Sequence, residues 1–88
     1  MKRTQISTDA VLEAVKDLTN KLNYRLNQKG YGTFSSRHEI LGVIQEEHNE
    51  LIEAVTNLDL SEIKQELLDI AVGAIFAIAC INEETLDW

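Results

Sequence analysis

Residues 64–81 read KQELLDIAVGAIFAIACI, and this stretch decides the fold because an acidic start continues without a break into an apolar run. Asp59 and Glu62, just before it, have the spacing of a capping box, so a helix is predicted from there to about Asn82. From Ile70 onward the predicted helix is apolar on every side. Such a helix must be buried on every side, and two other short helices cannot cover it, so we expect a second subunit to do so.

Two further helices are predicted before this one. The first carries a narrow apolar stripe at spacings of three and four residues, begins after a cap at Ser7 or Thr8, and ends near Asn27. The second begins at Ser36, which is followed three residues later by a glutamate as in a capping box, and ends near Thr56. Glycine and serine residues separate these two helices, and a short segment, 57–61, separates the second from the third.

The chain of 88 residues contains no proline and has few turn signals, which favours an all-α fold. Its length suits one domain, so we predict a single domain over residues 1–88. We expect three main helices per chain, in which the second and the apolar third form a hairpin. Homo-oligomerisation then completes a helical bundle.

The charge of the chain excludes several classes of protein. The formal net charge is −7, whereas a nucleic-acid or anionic-membrane binder needs a basic surface, so neither partner is expected. The single cysteine, Cys80, has no partner for an internal disulfide, and the first ten residues lack the apolar core of a signal peptide. The longest apolar run, residues 70–81, is shorter than the roughly 20 residues that cross a bilayer. We therefore predict a cytoplasmic protein without a membrane span.

Four carboxylates on the second and third helices lie in or beside apolar faces. A helical wheel places Glu47 in the middle of an apolar face with Glu50 beside it, and Glu66 and Asp69 repeat this spacing among small and apolar residues. A buried carboxylate without a partner costs several kcal/mol, so these groups need a cation or a hydrogen-bond network. Because lysine and arginine are scarce nearby, a divalent cation is the expected counter-charge. Ligands that are all oxygen suit Mg²⁺ or Mn²⁺.

The acidic motifs resemble a known family. The pattern EExxE at residues 46–50, followed by ExxD at residues 66–69, is similar to that of the MazG-type nucleoside triphosphate pyrophosphohydrolases, in the all-α NTP pyrophosphatase superfamily. The resemblance covers about residues 36–82. It implies a Mg²⁺ site, with Mn²⁺ as an alternative, whose ligands are Glu47, Glu50, Glu66 and Asp69. It also implies that Glu46 is a further ligand or orients water, which makes Glu46 and Glu47 the candidate catalytic residues.

The reaction implied by the resemblance is hydrolysis of a ribo- or deoxyribonucleoside triphosphate to the monophosphate and pyrophosphate, as part of nucleotide-pool house-cleaning. The family commonly forms dimers or tetramers, and we expect a homo-oligomer, with a tetramer built as a dimer of dimers preferred. The alternative is a non-catalytic acidic helical module that oligomerises or binds metal.

Candidate substrate contacts lie in the basic N-terminal third of the chain, where residues 1–37 hold seven Lys or Arg against three acids. In similar proteins a further helix supplies basic phosphate contacts; here we expect the N-terminal third to do so. Lys21 and Arg25 border the apolar stripe of the first helix, so they can contact phosphate or simply cover the stripe. Tyr31 and Phe34, in the following loop, can stack on a nucleobase or cap the core.

Overall fold

The computed structural model describes residues 2–88, which form three α-helices and no strand within that range. Helix α1 spans Thr8–Lys29, α2 spans Arg37–Thr56, and α3 spans Leu60–Asn82. The predicted all-α fold with three helices is confirmed.

Short polar side chains begin all three helices. Ser7, Ser36 and Asp59 are the N-caps, and each side chain accepts a hydrogen bond from the backbone amide three residues further on. These caps confirm the predicted helix starts. Helix α1 continues two residues beyond its predicted end and stops at Gly30, which adopts a φ of 79° and donates its N–H to the carbonyl of Leu26. This left-handed conformation is open to glycine without steric cost.

Helix α2 turns back onto α3 through the short connection 57–59. Leu58 lies in this turn with a φ of 57°. Further along the pair, the Cδ1 atom of Ile44 lies 3.4 Å from the position that a Cβ of Gly73 would take. Ile44 precedes Leu58 by 14 residues and Gly73 follows it by 15, so the chain reverses at this turn and the two helices form the predicted antiparallel hairpin.

Helix α1 packs on α3 in the opposite sense. Lys21 contacts Gln65 and Arg25 contacts Asp69, so both pairs are separated by the same 44 residues. A constant offset means that α1 and α3 run parallel. Helix α3 packs against both other helices, most extensively against α2, whereas α1 and α2 do not pack on each other.

The chain by itself buries little apolar surface. Its accessible surface is 7032 Å², although a compact monomer of this mass exposes about 5,200 Å². Its radius of gyration of 15.0 Å likewise exceeds the roughly 12 Å expected for this length. Among residues 2–88 the only buried apolar residues are Ala54, Ala77 and Cys80, and no large side chain is fully buried. Ile78 and Ile81 of α3 are more than half exposed.

Helix α3 is also long and apolar enough to cross a membrane by length and composition. An 18-residue window within it has a mean hydropathy of 1.5, and 11% of that window is buried. The apolar run of 12 residues noted in the sequence is shorter than this window, because the run leaves out the apolar residues before Ile70. Core helices of soluble proteins pass the same test, so the absence of a membrane span stays a prediction.

Candidate metal centre

Three carboxylates from two helices meet between α2 and α3. Glu47 comes from α2, while Glu66 and Asp69 stand three residues apart on α3 and therefore project from one face of that helix. One oxygen from each of the three lies within 4.8 Å of the others, and all three residues are partly buried. This spacing allows the three groups to hold one metal ion.

Two of these carboxylates carry oxygens that make no hydrogen bond. The Oε2 atoms of Glu47 and Glu66 are both buried and without a partner in the described chain. Burial raises the pKa of Glu66 to about 7, and the neighbouring charge of Glu50 adds to the effect. Burial, followed by the charges of Glu50 and Asp69, also raises the pKa of Glu47. The cluster therefore holds more negative charge than its surroundings compensate.

The two remaining acids predicted for the site lie at different places. Glu50 is exposed, yet it lies close enough to raise the pKa of both Glu47 and Glu66. It borders the cluster without belonging to the group of three. Glu46 is exposed and lies outside that group.

Helix α1 brings two cations to the third carboxylate. Arg25 Nη2 donates to Asp69 Oδ1 at 2.9 Å, and Lys21 Nζ lies 3.4 Å from the same oxygen. Lys21 also donates to the side chain of Gln65. The sequence predicts that lysine and arginine are scarce near the cluster, because the charges of α2 and α3 alone do not show that α1 lies beside them. Only Asp69 contacts these cations; the Arg25 charge acts on Glu47 from a distance and only partly offsets the rise of its pKa, and the unpartnered oxygens belong to Glu47 and Glu66.

A cavity of about 250 Å³ opens beside Glu47 and Asp69. Its walls combine apolar side chains and glycines with two cations, and they include Leu22, Arg25, Lys29, Phe34, Val43, Val72, Gly73 and Phe76. The rings of Phe34 and Phe76 meet edge to face with centroids 5.7 Å apart. Of the two predicted aromatic contacts, Phe34 thus lines the cavity, whereas Tyr31 is 77% exposed and is not part of the wall.

A second cavity, of about 350 Å³, has Glu66 of the cluster in its wall. It is lined by acidic and amide side chains together with one alanine, namely Glu50, Glu53, Ala54, Asn57, Asp59, Glu62 and Glu66. The carboxylate cluster therefore borders both an apolar cavity with basic residues and a strongly acidic one.

Residues after α3 pair with the loop between α1 and α2 and with the start of α2, which the sequence does not predict. The Asp87 amide donates to the Ser35 carbonyl at 2.7 Å, and the Arg37 amide donates to the Trp88 carbonyl at 2.8 Å. The indole of Trp88 lies against the His38 ring, with centroids 4.6 Å apart. No periodicity or cap in the sequence signals this pairing.

Comparison with protein-family models, curated proteins and solved structures finds no match to this chain. The resemblance to MazG-type enzymes therefore rests on the acidic motifs and their spacing alone.

Proposed function

We propose that this protein is a Mg²⁺-dependent nucleoside triphosphate pyrophosphohydrolase acting in nucleotide-pool house-cleaning. The observation that carries the proposal is the pair of buried, unpartnered oxygens on Glu47 and Glu66 beside Asp69. Burying such oxygens without a partner is costly, so a ligand that pairs with them stabilises the folded chain.

The donor set fits Mg²⁺ or Mn²⁺. All three groups offer carboxylate oxygen, and no cysteine or histidine joins them within the described residues. Hard divalent cations prefer oxygen ligands, and Mg²⁺ usually combines one or two carboxylates with water and substrate phosphate. Glu47, Glu66 and Asp69 would hold the ion, and Glu50 would add negative charge at its edge.

The proposed reaction breaks one phosphoanhydride bond. Water attacks the α-phosphorus, the bond from that phosphorus to the oxygen bridging to the β-phosphate breaks, and the electron pair leaves with pyrophosphate. Glu47 borders the cavity and has two carboxylate oxygens, so the oxygen that does not hold the ion could accept a proton from the attacking water. An ion held by these carboxylates would supply positive charge to the phosphate oxygens.

The cavity supplies the remaining contacts for a nucleotide. Arg25 and Lys29 line it and offer positive charge to phosphate, while the Phe34 ring offers an aromatic face or edge to a base. Arg25 already binds Asp69, so in this proposal it orients that carboxylate and contacts phosphate with its remaining donors. Lys21 lies outside the cavity wall and acts on Asp69.

The test is incubation of the purified protein with each NTP and dNTP in Mg²⁺, with chromatographic detection of products. We expect monophosphate and pyrophosphate from the wild type and at least about a hundredfold slower turnover from Glu47→Gln. The matched control is Glu53→Gln, which removes the same charge from an exposed position on α2 and should retain activity.

Two outcomes would overturn the proposal. Release of orthophosphate would mean that a different bond is cleaved. The protein could also bind Mg²⁺ and turn over no nucleotide. Binding is seen as a rise in melting temperature that Glu47→Gln abolishes. This outcome would favour the alternative, a non-catalytic metal-binding and oligomerisation module.

We further infer that a second copy of the chain covers α3. The surface in excess of a compact monomer is about 1,800 Å², which is within the range that one subunit buries in an obligate homodimer. The exposed apolar residues on α3 supply such a surface, and they include Leu67, Ile75, Ile78 and Ile81. The interface would complete a helical bundle from two or four chains.

Light scattering coupled to size-exclusion chromatography tests this assembly. We expect a dimer or tetramer for the wild type and a shift to monomer for Ile78→Asp. The control Leu58→Asp changes an exposed leucine in the α2–α3 turn and should leave the assembly intact. A wild-type monomer would refute the inference, and its binding to lipid vesicles would assign α3 to a membrane surface instead.

A further inference from the structure

The segment after α3 folds back onto the loop between α1 and α2. Thr85 fixes the start of this segment, because its amide and its hydroxyl both donate to the Cys80 carbonyl. The Thr85 hydroxyl also pairs with the hydroxyl of Thr33. The segment 85–88 thus forms a strap whose two ends are tied to different parts of the fold.

The loop depends on this strap for its backbone bonding. Between residues 31 and 35, the only backbone–backbone hydrogen bond in the described chain is the one that Asp87 donates to Ser35. The other hydrogen bond of the Ser35 backbone is the one that its amide donates to the Glu39 side chain. Next to the loop, the first amide of α2 belongs to Arg37 and donates to Trp88. Without the strap, residues 31–35 would make no backbone–backbone hydrogen bond, and only side chains would bind their backbone, through the Ser35 amide and the Phe34 carbonyl.

The same loop forms part of the wall of the 250 Å³ cavity. Gly30, Gly32 and Phe34 line that cavity, and Phe34 reaches across to Phe76 on α3. Gly30 has a φ of 79°, and a Cβ added to Gly30 or Gly32 would meet no atom within 4 Å. The start of the loop is therefore unobstructed and can act as a hinge.

We propose that the strap 85–88 is a latch that holds the loop between α1 and α2, residues 30–36, closed over the cavity. Release of the latch lets Phe34 leave Phe76 and opens the cavity at its loop side, next to the carboxylate cluster. The contacts that hold the latch lie at the surface, where Trp88 is 62% exposed, so the latch opens far more often than the chain unfolds.

This inference rests on the contacts of the strap and the loop. The proposed function contributes only the identity of the ligand that enters the cavity, a nucleotide. If the protein hydrolyses no nucleotide, the latch proposal still stands, because the experiment that tests the latch measures the loop directly.

Nuclear magnetic resonance on the full chain provides that test. The sequence contains one tryptophan and two phenylalanines, so the contact between the Phe34 and Phe76 rings is identified without ambiguity. We compare the wild type with Trp88→Ala and with Trp88→Ala combined with Thr85→Val. The matched control is Glu83→Gln, an exposed change at the end of α3.

With the latch released, we expect the Phe34–Phe76 cross-peak to weaken or vanish and the Arg37 amide to exchange with solvent about tenfold faster. Amides in the middle of α3 should exchange at wild-type rates, which shows that the fold persists. The proposal is overturned if both variants retain the cross-peak and the slow Arg37 amide, since Phe34–Phe76 packing and the Ser35–Glu39 hydrogen bond would then suffice to hold the loop.

Discussion

Replacing Glu66 by glutamine should make the metal-free protein more stable. The Glu66 pKa rises from 4.5 to about 7 on folding, so at pH 8 the charged group destabilises the fold by up to about 3 kcal/mol, at about 1.4 kcal/mol per pKa unit. The neighbouring acids share part of this repulsion, so we expect Glu66→Gln to gain about 2 kcal/mol. For a domain of this size that gain raises the melting temperature by roughly 10 °C.

The stability gained by Glu66→Gln depends on pH. A carboxyl group whose pKa is raised on folding favours the folded state below its unfolded pKa, and this contribution is lost as pH rises through the folded value. The advantage of Glu66→Gln over wild type should therefore be large at pH 8 and decline toward zero as pH falls from about 7 to 4.5.

Thermal melts in EDTA, followed by circular dichroism, measure the effect across this pH range. Glu53→Gln is the matched control, because it removes one negative charge at an exposed position and should change the melting temperature little. When the melts are repeated with Mg²⁺, the melting temperature of the wild type should rise, whereas that of Glu66→Gln should not. A Glu66→Gln protein that is less stable than wild type at pH 8, or whose gain is equal at pH 5, would refute the reasoning.

Two further substitutions test the surroundings of the cluster. Arg25→Met removes the closest cation from Asp69 and should destabilise the chain by about 1–3 kcal/mol in urea denaturation at pH 8, whereas Lys64→Met breaks an exposed ion pair and should cost less than about 1 kcal/mol. Equal effects of the two would contradict this. Gly73→Ala places a methyl group in ordinary contact with Ile44 and should stabilise the protein by about 0.5–1 kcal/mol in the same urea titration. A loss of stability would show that the packed helices cannot accept the added methyl group.

The helices could be predicted from the sequence because their signals are local. The caps at Ser7, Ser36 and Asp59 fix the starts within one chain segment, and the spacing of three between Glu66 and Asp69 places both on one face whatever the tertiary fold. The meeting of the α2 and α3 carboxylates then follows from a hairpin with a short connection.

The contacts made by α1 and by the strap could not be predicted in this way. Arg25 reaches Asp69 only because α1 packs parallel to α3, and nothing in the apolar stripe of α1 fixes its direction. The pairing of Asp87 and Trp88 with the α1–α2 loop is formed by backbone groups, which every residue carries and no side-chain pattern reports.

The parallel packing of α1 has a thermodynamic consequence. Helix α1 contains no buried residue, and its ties to α3 include two cations on the single oxygen Asp69 Oδ1. An ion bound through this particular oxygen would compete for it with Lys21 and Arg25, so ion binding at Asp69 Oδ1 would weaken the docking of α1. Because linkage is reciprocal, undocking of α1 would then strengthen ion binding by the same factor by which ion binding weakens docking.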